Sequence, residues 1–232
     1  IGRIQNVQCE PIIICDNIFH YRNKMEFTFS NNEYVPEKEK GRDPSEFSLG
    51  LHAPGRWNKI LDIQNCHIQS PIANEILRTI KELTIKLEPY NITKHTGFLR
   101  SVIIRVGANT NEVMVNIITN EENIQVLTPI GEILIEKYPN ITSIVNNITT
   151  RNAGISTGER QILINGNEYI TEQLGDYTFM ISADSFFQTN TQQTLKLYDV
   201  VLQECKLTGK EIVYDLFCGT GSISLYISQF AK

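Results

Sequence analysis

Glu211-Ile-Val-Tyr-Asp-Leu-Phe-Cys-Gly-Thr-Gly-Ser222 is the stretch on which the fold turns. Residues 211–217 form a short apolar run of strand length, glycines interrupt it, and Ser222 to Phe230 then follows helical spacing. A strand, a tight turn and a helix in succession open an α/β unit. Glycine at 219 and 221 lets the backbone come close to a ligand, and a helix start presents unbonded N–H groups. Asp215 stands toward the carboxyl end of the strand, the edge at which open parallel sheets bind nucleotides. A dinucleotide pattern needs a third glycine at 224, where this chain has Ser224, and the Gly-Lys-Ser/Thr of a phosphate loop is absent. A looser acidic-x-x-x-Gly-x-Gly turn suits S-adenosylmethionine, which carries no phosphate. A plain strand–helix turn with no ligand has the same local sequence.

Upstream of this unit, Thr191 to Cys205 reads as a helix with Leu195, Tyr198, Val201 and Leu202 on its apolar face. Before Ser182 the pattern changes. Strands are expected at 24–30, 47–51 and 59–63, the last two split by the turn His52-Ala-Pro-Gly55. Asn31 to Ser45 is polar and reads as an exposed loop. Pro71 opens a helix running through Leu87, with Ile72, Ile76, Ile80 and Leu83 at helical spacing. Leu99 to Thr119 is a hairpin turned by Gly107-Ala-Asn-Thr-Asn111, and a helix is expected at 129–137. Further short strands are expected at 143–146, 161–164 and 177–181. The expected architecture is an α+β central domain at 1–181, an antiparallel sheet with helices packed on it. The opening of an α/β Rossmann-like domain follows at 182–232.

With 41% hydrophobic and 20% charged residues the chain has the composition of a globular protein. No apolar run reaches the roughly 18 residues of a membrane span, and no signal peptide is evident. A net charge of -5 argues weakly against nucleic acid as a partner, although a basic face can sit on an acidic body. The five cysteines are odd in number and form no Cys-x-x-Cys pair, which disfavours a secreted disulfide framework and favours a reducing cytoplasm. The chain opens Ile1-Gly-Arg-Ile4 without Met and stops at Lys232 just after a strand–turn–helix has begun, so an excised segment is expected.

Two segments taken together are more specific. Ser182-Ala-Asp-Ser-Phe-Phe-Gln-Thr-Asn190, followed by Tyr214-Asp-Leu-Phe-Cys-Gly-Thr-Gly221, closely resembles the bacterial RNA uracil-5 methyltransferases that make 5-methyluridine in ribosomal and transfer RNA. His20-Tyr-Arg-Asn-Lys-Met-Glu-Phe27 resembles that family's entry strand, and Leu49 to Cys66 its central domain, so the resemblance spans most of the chain. It implies an S-adenosylmethionine-dependent enzyme acting on RNA, in 23S ribosomal RNA rather than tRNA. It implies that Gln188, Asp215, Phe217, Gly219, Gly221 and Ser222 hold the cofactor, with Ser222 where the family often has Asn. Phe186 is expected to stack on a flipped uracil, and Arg22 and Lys24 to contact RNA. For Phe186 the rival reading is a core aromatic, and Phe187 is expected to face the other way. For Gln188 the rival is a polar group at a helix entry.

The family's reaction uses a cysteine thiolate that adds to C6 and a general base that removes the C5 proton. Both are expected beyond Lys232, so the segment by itself is expected to be inactive. Cys218 matches the customary cysteine of the cofactor turn and Cys205 reads as packing near a helix end. Cys66, in Asp62-Ile-Gln-Asn-Cys66, matches the fourth ligand of the [4Fe-4S] cluster that some members carry. Cys9 and Cys15 lack the context of the other three, which are expected upstream of Ile1, so this segment alone is not expected to hold a cluster, and an unliganded thiol is the alternative. Lys94, His95, Arg100 and Arg105 gather near the hairpin's entry as further candidate phosphate contacts, or as ordinary solvated charges. His20, His52 and His67 show no metal-ligand spacing. No membrane and no obligate protein partner are expected. The rivals are a tRNA uridine-5 methyltransferase, an enzyme methylating a protein or small molecule, and an RNA-binding module with a degenerate cofactor site. The Phe-Phe-Gln-Thr-Asn element weighs against the second.

Overall fold

The computed structural model describes residues 8–152 and 158–232. Its frame is a seven-stranded sheet. In chain order the strands are β1 (Lys24–Ser30), β2 (Ser48–Ala53), β3 (Arg56–Asp62), β4 (Leu99–Val106), β5 (Val113–Thr119), β6 (Ile141–Ile148) and β7 (Arg160–Gly166). They lie side by side in the order β3-β2-β1-β4-β5-β6-β7. All pairs are antiparallel except β5–β6, which is parallel, so the sheet is mixed rather than purely antiparallel as expected. The parallel pair requires a crossover, which α2 (Ile124–Lys137) supplies. The helix begins at the Asn123 cap, whose side chain accepts from Val126 N, ahead of the expected start at Pro129. Pro129 lies inside the helix.

The other helix on this side is α1 (Pro71–Thr84). Proline at its first position costs no hydrogen bond, because that N–H has no helical acceptor. The helix ends at Thr84, short of the expected Leu87, where Thr84 Oγ1 donates back to Ile80 O at 2.6 Å. Ile76, Leu77 and Ile80 of α1, with Leu127 and Leu134 of α2, pack on Phe27, Leu49, Val102, Val115 and Ile117 of the sheet in one apolar core.

A second layer covers part of the opposite face. A hairpin, β8 (Tyr169–Leu174) and β9 (Tyr177–Ser182), and the helix α3 (Thr191–Cys205) bring Ile170, Leu174, Phe179, Ile181, Phe187 and Tyr198 onto Met114 and Val145. The expected boundary at residue 181 runs through this cluster, which takes residues from either side of it. β8 has no counterpart among the expected strands. Its inward positions are Ile170, Glu172 and Leu174, and the buried Glu172 hides the alternation.

The stretch 211–217 differs from expectation. It forms no regular strand, and Ile212, Tyr214 and Leu216 are 67%, 80% and 79% exposed. An apolar run becomes a strand only against a neighbour that takes its N–H and C=O groups, and among the described residues no strand lies beside it. The helix after the glycine turn, α4, spans Ser222–Ser228, two residues short of Phe230.

Candidate functional site

Between β9 and α3, residues 183–190 run irregularly across the second face of the sheet, not as the strand implied for the Phe pair. Side chains of the sheet pin the segment by its backbone. Arg105 Nη2 donates to Ser185 O at 2.7 Å and Asn23 Nδ2 to Gln188 O at 2.9 Å. The backbone N–H of Asn23 donates to Thr189 O at 2.8 Å, and Asn147 Nδ2 donates to Asp184 Oδ1 at 3.3 Å. Asn190 caps α3 by accepting from Gln193 N at 3.0 Å. Within this anchored segment Phe187 is buried with its ring 5.6 Å from Phe179, while Phe186 is 68% exposed. The ring that projects is the one for which the resemblance implied base stacking.

A carboxylate ties the segment to the rest. Glu172, 1% exposed, accepts from Ala108 N at 2.6 Å, Asn109 N at 3.0 Å and Thr191 Oγ1 at 3.0 Å. It joins the β4–β5 turn, β8 and the start of α3 in one node. Asn23, Arg105, Asn147 and Glu172 were not legible as site-supporting residues, because their partners are 19–168 positions away in the chain.

The glycine turn stands in the conformation its sequence asks for. Gly219 and Gly221 have φ of 59° and 69°, and no atom lies within 4 Å of where a Cβ would stand on either. Phe217 also has a left-handed φ of 66° and is fully exposed, an uncommon state for a bulky residue and one that clusters at ligand sites. Asp215 accepts from Ser224 Oγ, and Ser222 Oγ lies 2.6 Å from Tyr198 OH. Asp215, Val213, Cys218 and Ser224 line a cleft of about 370 Å³. Gln188 lies in another, of about 400 Å³, with Asn190, Gln193 and Leu197. Open space over the glycines and a free aromatic face fit an adenosine-like ligand laid on the turn, but the structure does not bring Gln188 into the same cavity.

Of the basic residues, Arg22 Nε donates to Lys24 O at 3.0 Å. Lys24 sits opposite Arg105 in the β1–β4 register; burial first, and then the Arg105 charge, hold its ammonium below the usual lysine range. Arg105 is 2% exposed, burial pulls it to about 10, and its Nη1 has no partner. Arg100 is buried, lies 4.1 Å over the Tyr90 ring and donates to Thr149 O and Arg151 O. These two arginines are therefore internal, and of the expected group only Lys94 and His95 are exposed.

Cys66, the expected fourth cluster ligand, is partly buried beside α1. Its N–H donates to Asn74 Oδ1 at 2.7 Å, its carbonyl accepts from Asn74 Nδ2, and its side chain packs against the α1 core. Among the described residues no three His, Cys, Asp or Glu gather as metal ligands, and one thiolate cannot hold a cluster. Among those residues, too, no helix is long and apolar enough to cross a membrane.

No protein-family model matches the chain. Over its whole length it is 38% identical to an uncharacterized RNA methyltransferase of Chlorobaculum tepidum and 36% identical to one of Halalkalibacterium halodurans. The chain is similar to RNA methyltransferases. It spans about half the length of these relatives, 50% and 48%. Among solved structures, the tRNA (uracil-54, C5)-methyltransferase of Pyrococcus abyssi, in complex with S-adenosyl-L-homocysteine, matches with a TM-score of 0.68 and 29% identity. That match covers 92% of this chain and 48% of the neighbour. The mixed sheet with its helices is thus a fold found in an RNA-modifying methyltransferase.

Proposed function

We propose that this chain is part of an S-adenosylmethionine-dependent RNA methyltransferase that methylates C5 of a uridine. Residues 1–181 face the RNA and residues 182–232 open a Rossmann-like cofactor domain. The observation that carries this reading is the exposed Phe186 on a segment otherwise tied to the sheet, in a chain similar over its whole length to RNA methyltransferases. An exposed ring on a rigid support can stack on a base taken out of the RNA, and the anchoring lowers the ordering cost of that contact. S-adenosylmethionine, when bound, supplies the methyl group. Gly219 and Gly221 let the backbone approach it, Phe217 offers a ring face, and Asp215, Ser222 and Gln188 offer polar contacts. Arg22 and Lys24 hold phosphates beside the base. The enzyme works where its RNA is, in the cytoplasm.

The target is proposed to be a uridine of 23S ribosomal RNA, on the motif resemblance. A tRNA uridine is the second reading, favoured by the tRNA-modifying structural neighbour. Incubating the complete protein with labelled S-adenosylmethionine and unmodified total RNA tests both. Label is expected in 5-methyluridine, and the size class of the labelled RNA separates the two targets. Label in any other nucleoside overturns the proposal. Phe186→Ala is expected to abolish labelling while S-adenosylmethionine binding and melting temperature stay unchanged.

A further inference from the structure

The second layer leaves the β1–β2–β3 end of the sheet's second face uncovered. On β1, Phe27 and Phe29 point into the main core, so Glu26 and Thr28 face the other way; on β4, Ser101 does the same beside Val102. There Glu26, His52, Trp57, Asn58, Tyr90 and Ile92 line an open cavity of about 100 Å³, the space of several waters. Trp57, near the tip of the β2–β3 hairpin, is 66% exposed, and among the described residues no other ring or cation covers it. His52 Nδ1 lies 2.7 Å from Trp57 O and braces the hairpin.

We infer that this cavity is a second RNA contact, distinct from Phe186, which takes one unpaired base of the substrate bearing an exocyclic amino group. The inference rests on the RNA reading above. An exposed indole beside a cavity with an apolar floor is a stacking platform for any base. The Glu26 carboxylate, which accepts from Ser101 Oγ at 3.3 Å, has further lone pairs for an amino N–H and repels a carbonyl set against it, while Arg100, which also lines the cavity, is engaged by the Tyr90 ring and the Thr149 and Arg151 carbonyls. That carboxylate also disfavours an acidic peptide. Two exposed cations are close by in the chain and available to flanking phosphates: Arg56, whose guanidinium lies 6.0 Å from the Tyr34 ring centroid, precedes Trp57, and Lys94 follows Ile92 by two residues. A single accessible cavity on an edge hairpin suits an unpaired nucleotide, since in a duplex the base faces are stacked and the deep groove of A-form RNA admits no side chain.

Trp57 is the chain's only tryptophan, so its emission reports the contact directly. The chain is titrated with end-labelled oligocytidylate, oligouridylate and a blunt-ended RNA duplex, while label anisotropy records binding in the same cuvette. Oligocytidylate is expected to quench the emission and to bind about fivefold more tightly than oligouridylate, and the duplex to leave the emission unchanged. Trp57→Ala should weaken oligocytidylate about tenfold with an unaltered melting temperature, Trp57→Phe should restore most of the loss, and Glu26→Gln should remove the preference for cytosine. Binding with unchanged Trp57 emission, or full affinity in Trp57→Ala, overturns the cavity and leaves the RNA reading standing. Absence of any RNA binding overturns both.

Discussion

β5 and the stretch 211–217 make an instructive pair. Both are short apolar runs, and by pattern alone both read as strands. Val113–Thr119 is buried at every position, hydrogen-bonded to β4 on one side and β6 on the other, with a helical layer on one face and the β8–β9 layer on the other. Residues 211–217 have no strand beside them among the described residues and hold most of their apolar side chains in solvent. Composition supplies a capacity for pairing; the neighbours decide whether it is realised.

The widest separation between the two should appear in amide hydrogen exchange. Amides of β5 open only with global unfolding, so protection there should approach the full stability of the fold, about 5–15 kcal/mol, while 212–217 should exchange almost as fast as free peptide. Equal protection in both would mean that 211–217 finds a partner in solution.

Side-chain truncation sharpens the contrast. Phe27→Ala in the main core and Phe187→Ala in the second are each expected to cost about 3–5 kcal/mol in urea unfolding, by cavity formation. Phe186→Ala and Phe217→Ala, at exposed sites, should stay within about 0.5 kcal/mol. A large loss in Phe217→Ala would show that the glycine turn packs against something.

The node that joins the layers should be less costly to break. Glu172→Ala takes the acceptor from the N–H groups of Ala108 and Asn109 and from the buried Thr191 hydroxyl, for an expected loss of about 1–3 kcal/mol. Local melting of α3 ahead of the sheet, read by exchange, would place that loss in the second layer.

Lys24 carries the smallest effect. Its folded pKa lies below the unfolded value, so the cation is penalised in the native state at pH 7, and the penalty fades as pH rises through the folded pKa toward 10.5. Lys24→Met keeps the apolar stem and should raise the melting temperature by about 1–3 °C at pH 7, with the gain shrinking toward pH 10. RNA affinity should fall in the same variant. A melting temperature that falls at pH 7 would make Lys24 a structural partner instead of a contact held for phosphate.

Several elements are legible in the sequence alone. The β4–β5 hairpin, α1 and α3 announced themselves, because alternation and helical spacing follow from which face is buried. The Phe186/Phe187 pair and the glycine turn were legible for a related reason: both rest on local backbone geometry and on a motif shared with known enzymes. β8 was not, because a buried carboxylate occupies one of its inward positions. Arg100 and Arg105 were read as surface cations, and nothing local marks a guanidinium that the fold will enclose.

By itself, the sequence determined most of the segments that become strands or helices, and that the two rings of the Phe pair face opposite ways; these are properties of nearest neighbours and periodicity. The role given to Phe186 and the chemistry of the two motifs were implied by the resemblance. The parallel β5–β6 pair, the sheet order, the unpaired state of 211–217, the separation of Gln188 from the glycine turn and the pinning of the Phe186 segment were decided by tertiary structure. They depend on which distant group takes the other half of a hydrogen bond or packs alongside, 165 residues away in the case of Asn23 and Gln188.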